Sequence, residues 1–342
     1  MLQRHNRRIG VLGLILMVML PGVSAARTFK FATLAPEGTT WMEQMREGAR
    51  EISRRTEGRV KIKFYSGGVM GNDKSVLKKM RIGQLHGGAV RAGALAGYYP
   101  DIQIYSLPFL FQSFPEVDYV RERLDARLRR GLEEKGLVAL GLSEGGFAYF
   151  MSKSPIRSLD EATRHKFWLP EGDSLTESVY RSAGIVPVAL PLADVYTGLQ
   201  TGLVDTVGAN ATAALAFRWH TKLHYVIDVP LMYILGVLVM DKKAFERVGA
   251  ADQQTMIAVM NDVFTRMNRL NREDNDRARQ ALRNNGAQFL RLSSQEVARW
   301  KTIANQAIAA LGDQGEYSPE MLQAVQKYLK EFRNQSAQVN EQ

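Results

Sequence analysis

A serine between two glycines is the first candidate for catalysis in this sequence. The segment Gly141-Leu-Ser143-Glu-Gly145 has the G-x-S-x-G spacing of a nucleophile elbow, in which the serine stands on a tight turn between a strand and a helix. Residues 147–152 are apolar and aromatic, which predicts a strand where the elbow requires a helix. We therefore predict no catalytic residue and interpret the segment as a glycine-rich connection between two strands. A secreted serine hydrolase that uses Ser143 remains the alternative.

Metal and cofactor chemistry has less support. His220 and His224 are four residues apart, a spacing that can place two imidazoles on one helix face, but no acidic residue lies between them. The sequence contains no cysteine, which excludes disulfides, thiolate metal sites and a cysteine nucleophile. Neither the Walker A pattern nor the G-x-G-x-x-G pattern, the two glycine-rich phosphate-binding motifs of nucleotide-binding proteins, occurs in the sequence. We predict no metal and no cofactor.

The elements that would position these residues alternate between strands and helices. Residues 29–34 predict a strand, Thr40 and Glu43 form a capping box at the start of a helix, and residues 59–65 alternate as a half-buried strand. A strand, a helix and a strand in this order imply a parallel pair with a right-handed crossover. Further strands are predicted at 137–142, 147–151, 204–207, 225–229 and 233–240. The pattern predicts an α/β protein.

Residues 251–285 differ from the rest because apolar side chains keep helical spacing there without an intervening glycine or proline. A helix of this length extends about 50 Å, which is more than the width of one α/β domain of this size. We therefore predict a helix that lies across two lobes. An ordinary long packing helix is the alternative interpretation.

The N-terminal sequence indicates export. Arg4, Arg7 and Arg8 precede an apolar run over residues 9–20, and small residues follow at 23–26, as in a secretory signal peptide. The apolar run is shorter than the roughly 20 residues that span a bilayer. We expect cleavage near Ala25 or Ala26 and a periplasmic mature protein.

The formal net charge of +10 raises the question of nucleic acid binding. Basic and acidic residues are interspersed along the chain, and no basic stripe with interleaved aromatic residues occurs. A solvated, moderately basic surface is the better interpretation, and no nucleic acid partner is predicted.

The strongest motif lies at residues 190–205, Leu-Pro-Leu-Ala-Asp-Val-Tyr-Thr-Gly-Leu-Gln-Thr-Gly-Leu-Val-Asp. It is similar to the EVYxALQTGxVDG pattern of the dicarboxylate-binding (DctP-type) periplasmic receptors of tripartite ATP-independent periplasmic (TRAP) transporters. Weaker matches at 83–86, 107–111 and 166–170 extend the resemblance over nearly the whole chain after the signal peptide. The resemblance implies an α/β, two-lobed periplasmic-binding-protein-like fold with a hinge and a long helix spanning both lobes. It also implies a small-molecule ligand and integral-membrane transporter subunits as partners, with the receptor a monomer or a homodimer.

The chain departs from this family at the positions that bind ligand. The family's Lys-x-Arg-x-Pro arginine, which pairs with a substrate carboxylate, is replaced by Trp168, and Ala148 stands where many members carry a second arginine. Asn210 is an approximate match for the family's pocket asparagine, and Glu171 stands where some members carry asparagine. Arg91 falls where members that bind sialic acid have a glutamate.

Three ligand classes remain open. A carboxylate could bind with Arg91 as its anchor, a neutral apolar ligand could pack against Trp168, Phe147 and Tyr149, and a cation could bind Glu171 together with aromatic rings. The candidate ligand-binding residues are Trp41, Arg91, Phe147, Tyr149, Trp168, Glu171, Leu192 and Asn210.

The predicted domain organisation places a signal peptide at 1–26 and a C-terminal helix and tail at 312–342. Residues 27–146 and about 235–270 form the first lobe, and residues 147–234 and about 271–311 form the second. Besides a transport receptor and a secreted hydrolase, the sequence leaves an adhesin or structural periplasmic protein as a third class.

Overall fold

The computed structural model describes residues 26–340. The predicted signal peptide therefore lies outside the described residues, apart from Ala26, and its cleavage stays a prediction. None of the helices between residues 26 and 340 combines the length and the apolar character that crossing a bilayer requires.

Strands and helices alternate along most of the chain, as predicted for an α/β protein. The strands are β1 (Arg27–Thr33), β2 (Val60–Tyr65), β3 (Gly87–Arg91), β4 (Leu137–Ser152), β5 (Trp168–Pro170), β6 (Val188–Leu190), β7 (Thr206–Ala209), β8 (Tyr225–Ile227), β9 (Met232–Asp241) and β10 (Gln288–Leu290). The α-helices are α1 (Thr40–Arg55), α2 (Asp73–Arg81), α3 (Phe114–Glu134), α4 (Leu159–Ala162), α5 (Ser174–Ser182), α6 (Val195–Thr201), α7 (Ala211–Ala216), α8 (Lys242–Glu246), α9 (Ala250–Asn284), α10 (Ser294–Asp313) and α11 (Pro319–Asn340).

The first lobe is built on a sheet of order β2-β1-β3-β9-β4. Strand β1 pairs in parallel with both β2 and β3, which confirms the predicted β-α-β opening. Strand β9 arrives from late in the sequence and pairs antiparallel with β3 on one side and β4 on the other. Apolar side chains form one core on each face of this sheet.

The second lobe uses the far end of the same β4. Residues 149–152 of β4 pair antiparallel with β7, and Met151 and Ser152 pair with β8, which runs parallel to β10. The parallel pair β5-β6 joins through a bridge between Phe167 and Thr206. Strands β4 and β9 therefore cross from one lobe to the other.

The predicted break in β4 is wrong. Residues 137–142 and 147–151 belong to one continuous strand of 16 residues, with Ser143 in its interior. The register against β9 shifts between Ala139 and Gly141 and again between Glu144 and Gly146. The glycines therefore belong to β-bulges and not to a turn. Gly146 has a positive φ of +78°, which a bulge accommodates without ending the strand.

Helix α9 is one uninterrupted helix of 35 residues, which confirms the prediction of a long helix. Its N-terminal half packs on α1 of the first lobe, where Val263 lies against Gly48. Its C-terminal half packs on α7 of the second lobe, where the hydroxyl of Thr212 donates to Asn275 Oδ1 at 3.0 Å.

Some local predictions need correction. The cap of α1 is Thr39, whose side chain accepts from the Met42 amide, so the predicted cap Thr40 is the first helical residue. Helix α3 has no counterpart among the predicted elements, although Val117, Val120 and Leu124 keep helical spacing and are buried. Helix α11 packs on α3, so the C-terminal helix contributes to the core of the first lobe.

Candidate ligand-binding cleft

A cavity of about 330 Å³ lies between the two lobes. This volume is at the lower end of the range for small-molecule sites. Its floor is the pair of crossing strands, where Ser143 and Gly145 of β4 meet Ile234 and Gly236 of β9. Because the floor belongs to the segments that join the lobes, a molecule in the cavity would touch both lobes and the connection between them.

Ser143 lies on this floor in a setting that does not suit a nucleophile. Its hydroxyl oxygen accepts a hydrogen bond from Trp41 Nε1 at 3.2 Å, and Trp41 lies in the first turn of α1 in the first lobe. No histidine in the part of the chain that the structure describes hydrogen-bonds to Ser143. A serine in mid-strand without a hydrogen-bonded base lacks the geometry of an activated nucleophile.

Arg91 contributes the guanidinium of the first lobe, at the carboxyl end of β3. Its Nε lies 2.9 Å from Asp73 Oδ2 in the same lobe, and its Nη1 lies 3.8 Å from Asp173 Oδ2 in the second lobe. Burial lowers the pKa of Arg91, but the two carboxylates outweigh burial and the pKa is raised overall. Arg91 is therefore a permanent cation that the protein already neutralises in part.

Trp168 contributes the facing wall from β5 of the second lobe. Its Nε1 donates to the Leu190 carbonyl at 2.9 Å, which fixes the plane of the indole. Trp219 packs edge-on against it with ring centroids 5.3 Å apart, and Phe217 stacks on Trp219 at 5.4 Å. Trp168 and Phe217 reach the cavity, and Leu192 lines the same side. This wall can hold the apolar body of a ligand.

Asn210 lines the cavity, but its polar atoms are largely occupied. Its Oδ1 caps α7 by accepting from the Ala213 amide at 2.7 Å, and its Nδ2 donates to the Gly145 carbonyl. Asn275 of α9 also donates to that carbonyl, at 3.3 Å. Asn271 donates to the Glu144 carbonyl at 2.7 Å. These amides satisfy carbonyl groups that the bulge removes from the β4–β9 ladder.

Glu171 follows β5 at the mouth of the cavity. Its carboxylate accepts a hydrogen bond from Asn72 Nδ2 of the first lobe at 2.6 Å. Asn72 is also the cap of α2, where its Oδ1 accepts from the Ser75 amide. Two direct polar contacts therefore join the lobes at the mouth, Asn72 to Glu171 and Arg91 to Asp173.

The structure does not bring Phe147 and Tyr149 to the cavity, which corrects two of the candidate residues. Phe147 is buried on the opposite face of β4, against Phe114 and Tyr233. The ring of Tyr149 lies under the guanidinium of Arg279, 4.4 Å from the centroid. Strict alternation would place both on the same face as Ser143, but the bulge after Glu144 adds one residue and reverses the alternation.

Several cavity residues were not among the sequence candidates. They include the polar residues Asn72, Asp73, Lys74, Thr212, Asn271 and Asn275 and the aromatic residue Phe217. Asn72 caps α2 and Asp73 is its first residue, and helices that follow parallel strands start at the edge of a sheet where ligands bind. That position was the available signal for these two residues.

Comparison with known proteins gives a consistent result. The family model for "Bacterial extracellular solute-binding protein, family 7" matches residues 31–314. The C4-dicarboxylate-binding periplasmic protein DctP of Rhodobacter capsulatus is 24% identical over 308 residues, which cover 86% of this chain and 89% of that protein.

Solved structures share the fold. A Bordetella pertussis extracytoplasmic solute receptor that binds pyroglutamic acid superposes with a TM-score of 0.82 at 19% identity, covering 89% of this chain and 100% of that one. A TRAP periplasmic solute-binding protein from a Sulfitobacter species, with bound β-D-galacturonate, gives a TM-score of 0.81 at 22% identity with coverage of 89% and 100%. The two-lobed architecture predicted from the sequence is thereby confirmed.

Proposed function

We infer the ligand class from the family, because this chain belongs to the bacterial extracellular solute-binding proteins of family 7. It is a solute-binding receptor of the TRAP type and not an enzyme. The serine hydrolase alternative has no support in the family, and Ser143 lies inside a strand with its hydroxyl bound to Trp41.

We propose that the ligand is a small organic acid with an apolar or aromatic body. The ligands named for the similar proteins, a C4-dicarboxylate, pyroglutamic acid and galacturonate, all carry a carboxyl group. A carboxylate is best bound by a planar guanidinium, because two parallel N–H groups can face its two oxygens. The cavity offers this group at Arg91.

The observation that carries the proposal is the division of the cavity into a charged side and an aromatic side. Arg91 lies on the first lobe, and its Nη2 has no hydrogen-bond partner among the described residues. Trp168 and Phe217 lie on the second lobe, and neither brings a charge. An acid whose carboxylate faces Arg91 would therefore place its remaining atoms against the aromatic wall.

Such a ligand would stabilise the closed arrangement of the lobes, because it contacts both of them. The shift between open and closed states is limited by the difference in ligand affinity between those states. We propose that the moving units are 27–146 with about 235–270 and 147–234 with about 271–311, with the hinge in β4, β9 and α9. The closed form would be the one that docks on the membrane subunits of the transporter.

We further propose a periplasmic location after cleavage near Ala25 or Ala26. The receptor is a monomer or a homodimer, with the ligand held between the two lobes of one chain. Light scattering after size-exclusion chromatography would distinguish a monomer from a homodimer.

The direct test is to identify what the receptor carries. Native mass spectrometry of protein purified from a periplasmic extract should detect a bound organic acid. A thermal-shift screen of aliphatic and aromatic carboxylic acids should then raise the melting temperature. A neutral apolar compound as the only co-purifying molecule, with no shift from any acid, would contradict the proposal.

A further inference from the structure

The charges around the cavity mouth do not match a simple anion. Two cations line the cavity, Arg91 and the exposed Lys74, together with the carboxylates Asp73 and Glu171, and Asp173 lies beside it, 3.8 Å from Arg91. A further lining carboxylate, Glu144, is already paired with Arg121 and Arg272. The protein therefore has more negative than positive groups at the point where the proposed carboxylate would bind. Adding a plain carboxylate would increase this excess, which is unfavourable in a partly enclosed site.

Asp73 indicates which kind of ligand group the site can bind. Its side chain is only 5% exposed, and Oδ2 is bound to Arg91. Its other oxygen, Oδ1, has no hydrogen-bond partner in residues 26–340, yet Asp73 lines the cavity. This oxygen is not among the fully buried side-chain atoms without a partner, so a donor on the ligand could reach it in place of water.

We propose, building on the organic-acid function above, that the ligand carries an ammonium group beside its carboxylate. The ligand class is an α-amino acid, or a similar zwitterion, with an apolar or aromatic side chain. The carboxylate would face Arg91, the ammonium would face Asp73 and Asp173, and the side chain would lie against Trp168 and Phe217. Each charged group of the ligand would then meet a group of opposite charge.

The aromatic wall is compatible with this arrangement. Trp41 also lines the cavity, from the same lobe as Arg91 and Asp73. An indole face attracts a cation through its ring quadrupole, so Trp41 would not oppose an ammonium group nearby. The wall formed by Trp168 and Phe217 would select the size and shape of the side chain.

The test uses four compounds that share one phenyl body: L-phenylalanine, L-3-phenyllactate, 3-phenylpropionate and phenethylamine. Calorimetric titration of the full mature chain should give the tightest binding for phenylalanine. Loss of the ammonium or of the carboxylate should weaken binding by roughly tenfold to a hundredfold, as expected for a hydrogen bond to a charged group. Equal affinity for phenyllactate would overturn the proposal, because a neutral donor would then be sufficient.

Two variants, Asp73→Asn and Asp173→Asn, test the residues. Each should weaken phenylalanine binding and strengthen 3-phenylpropionate binding, since Arg91 loses an internal counter-charge. A gain of affinity cannot result from misfolding, and asparagine keeps the cap of α5 that Asp173 provides. Glu177→Gln is the matched control, because Glu177 pairs with Arg181 away from the cavity.

The outcomes separate this inference from the proposed function. Binding of simple carboxylic acids without any preference for amino acids would leave the organic-acid receptor intact and overturn the zwitterion. Failure of every acid and every amino acid in the screen would overturn both.

Discussion

Asn72 and Glu171 join the two lobes across the mouth of the cleft, with Asn72 Nδ2 donating to Glu171 Oε2 at 2.6 Å. One partner caps α2 in the first lobe, and the other follows β5 in the second. Closure therefore involves direct contact between protein groups as well as any contact through a ligand.

Glu171→Ala should accelerate ligand release. The exposed hydrogen bond contributes about 0.5–1.5 kcal/mol, so the dissociation rate should rise by a few fold up to about tenfold. Stopped-flow displacement of the acid that gives the largest thermal shift would measure the rate. Glu177→Ala, which removes a carboxylate from the outer face of α5, should leave the rate unchanged. An unchanged rate for Glu171→Ala would show that this contact does not restrain opening.

Arg91→Ala should weaken binding of an acidic ligand by about 2–5 kcal/mol, because truncation leaves the ligand carboxylate without its partner. Trp168→Ala should also weaken binding, through loss of apolar contact area. Calorimetric titration measures both effects. Because Arg91→Ala leaves Asp73 buried and unpaired, the double variant Arg91→Ala/Asp73→Asn serves as the folding control. If neither substitution changed affinity, neither residue would belong to the site.

Gly141→Ala should destabilise the fold where β4 meets α9. A Cβ at this position would lie 2.1 Å from ring carbons of Phe264, so the ring must move. Overpacking of this kind costs about 1–3 kcal/mol or more, which urea unfolding would measure. In the Phe264→Ala background the same change should cost little, since the obstructing ring is gone. Gly97→Ala, where no atom lies within 4 Å of the new Cβ, should be close to neutral.

His86 should make stability depend on pH. Burial lowers the pKa of His86 below its ordinary value of 6.5, and the positive charges of Arg247 and Lys30 add to this effect. The folded chain therefore binds the proton less readily than the unfolded chain, so the unfolding free energy should fall as pH drops below 6.5. Protonation would also remove the Nδ1 acceptor of the Lys30 amide. His86→Asn should flatten this part of the pH profile in urea unfolding; an unchanged profile would exclude His86 as its source.

Ser143 should not react as a nucleophile. A fluorophosphonate probe should fail to label the wild-type chain, since the serine lies within β4 and binds Trp41. Mass spectrometry of tryptic peptides would detect any adduct. Labelling that disappeared in Ser143→Ala would contradict the assignment of this chain as a receptor without hydrolase activity.

The sequence was informative where a pattern is local and regular. The spacing of apolar residues such as Met256, Val263 and Met267 was sufficient to predict α9 as one long helix, because periodicity needs no knowledge of tertiary contacts. The same reasoning failed at Phe147 and Tyr149, whose orientation depends on a bulge opposite Leu235 and Ile234. A bulge is set by pairing between distant strands, and strand periodicity alone does not reveal it.

The pairing of charges in the site also could not be predicted from the sequence. Arg91 was a candidate from its position in the family resemblance, but its pairing with Asp73 and Asp173 depends on how α2 and α5 meet across the cleft. Asp73 is 18 residues from Arg91 and lies in a different element, so the periodicity of a single helix or strand does not predict that they pair.

The crossing strands and the late position of α11 in the sequence limit the order in which the molecule can fold. The central strand β9 of the first lobe begins at residue 232, and α11, which completes one of its cores, begins at residue 319. An N-terminal fragment of the nascent chain therefore lacks both the middle of its sheet and the cover of its core. Long-range pairing of this kind is slow to form. The first lobe therefore cannot complete its sheet and core until almost the full chain has been made, which would favour passage through an export channel before folding.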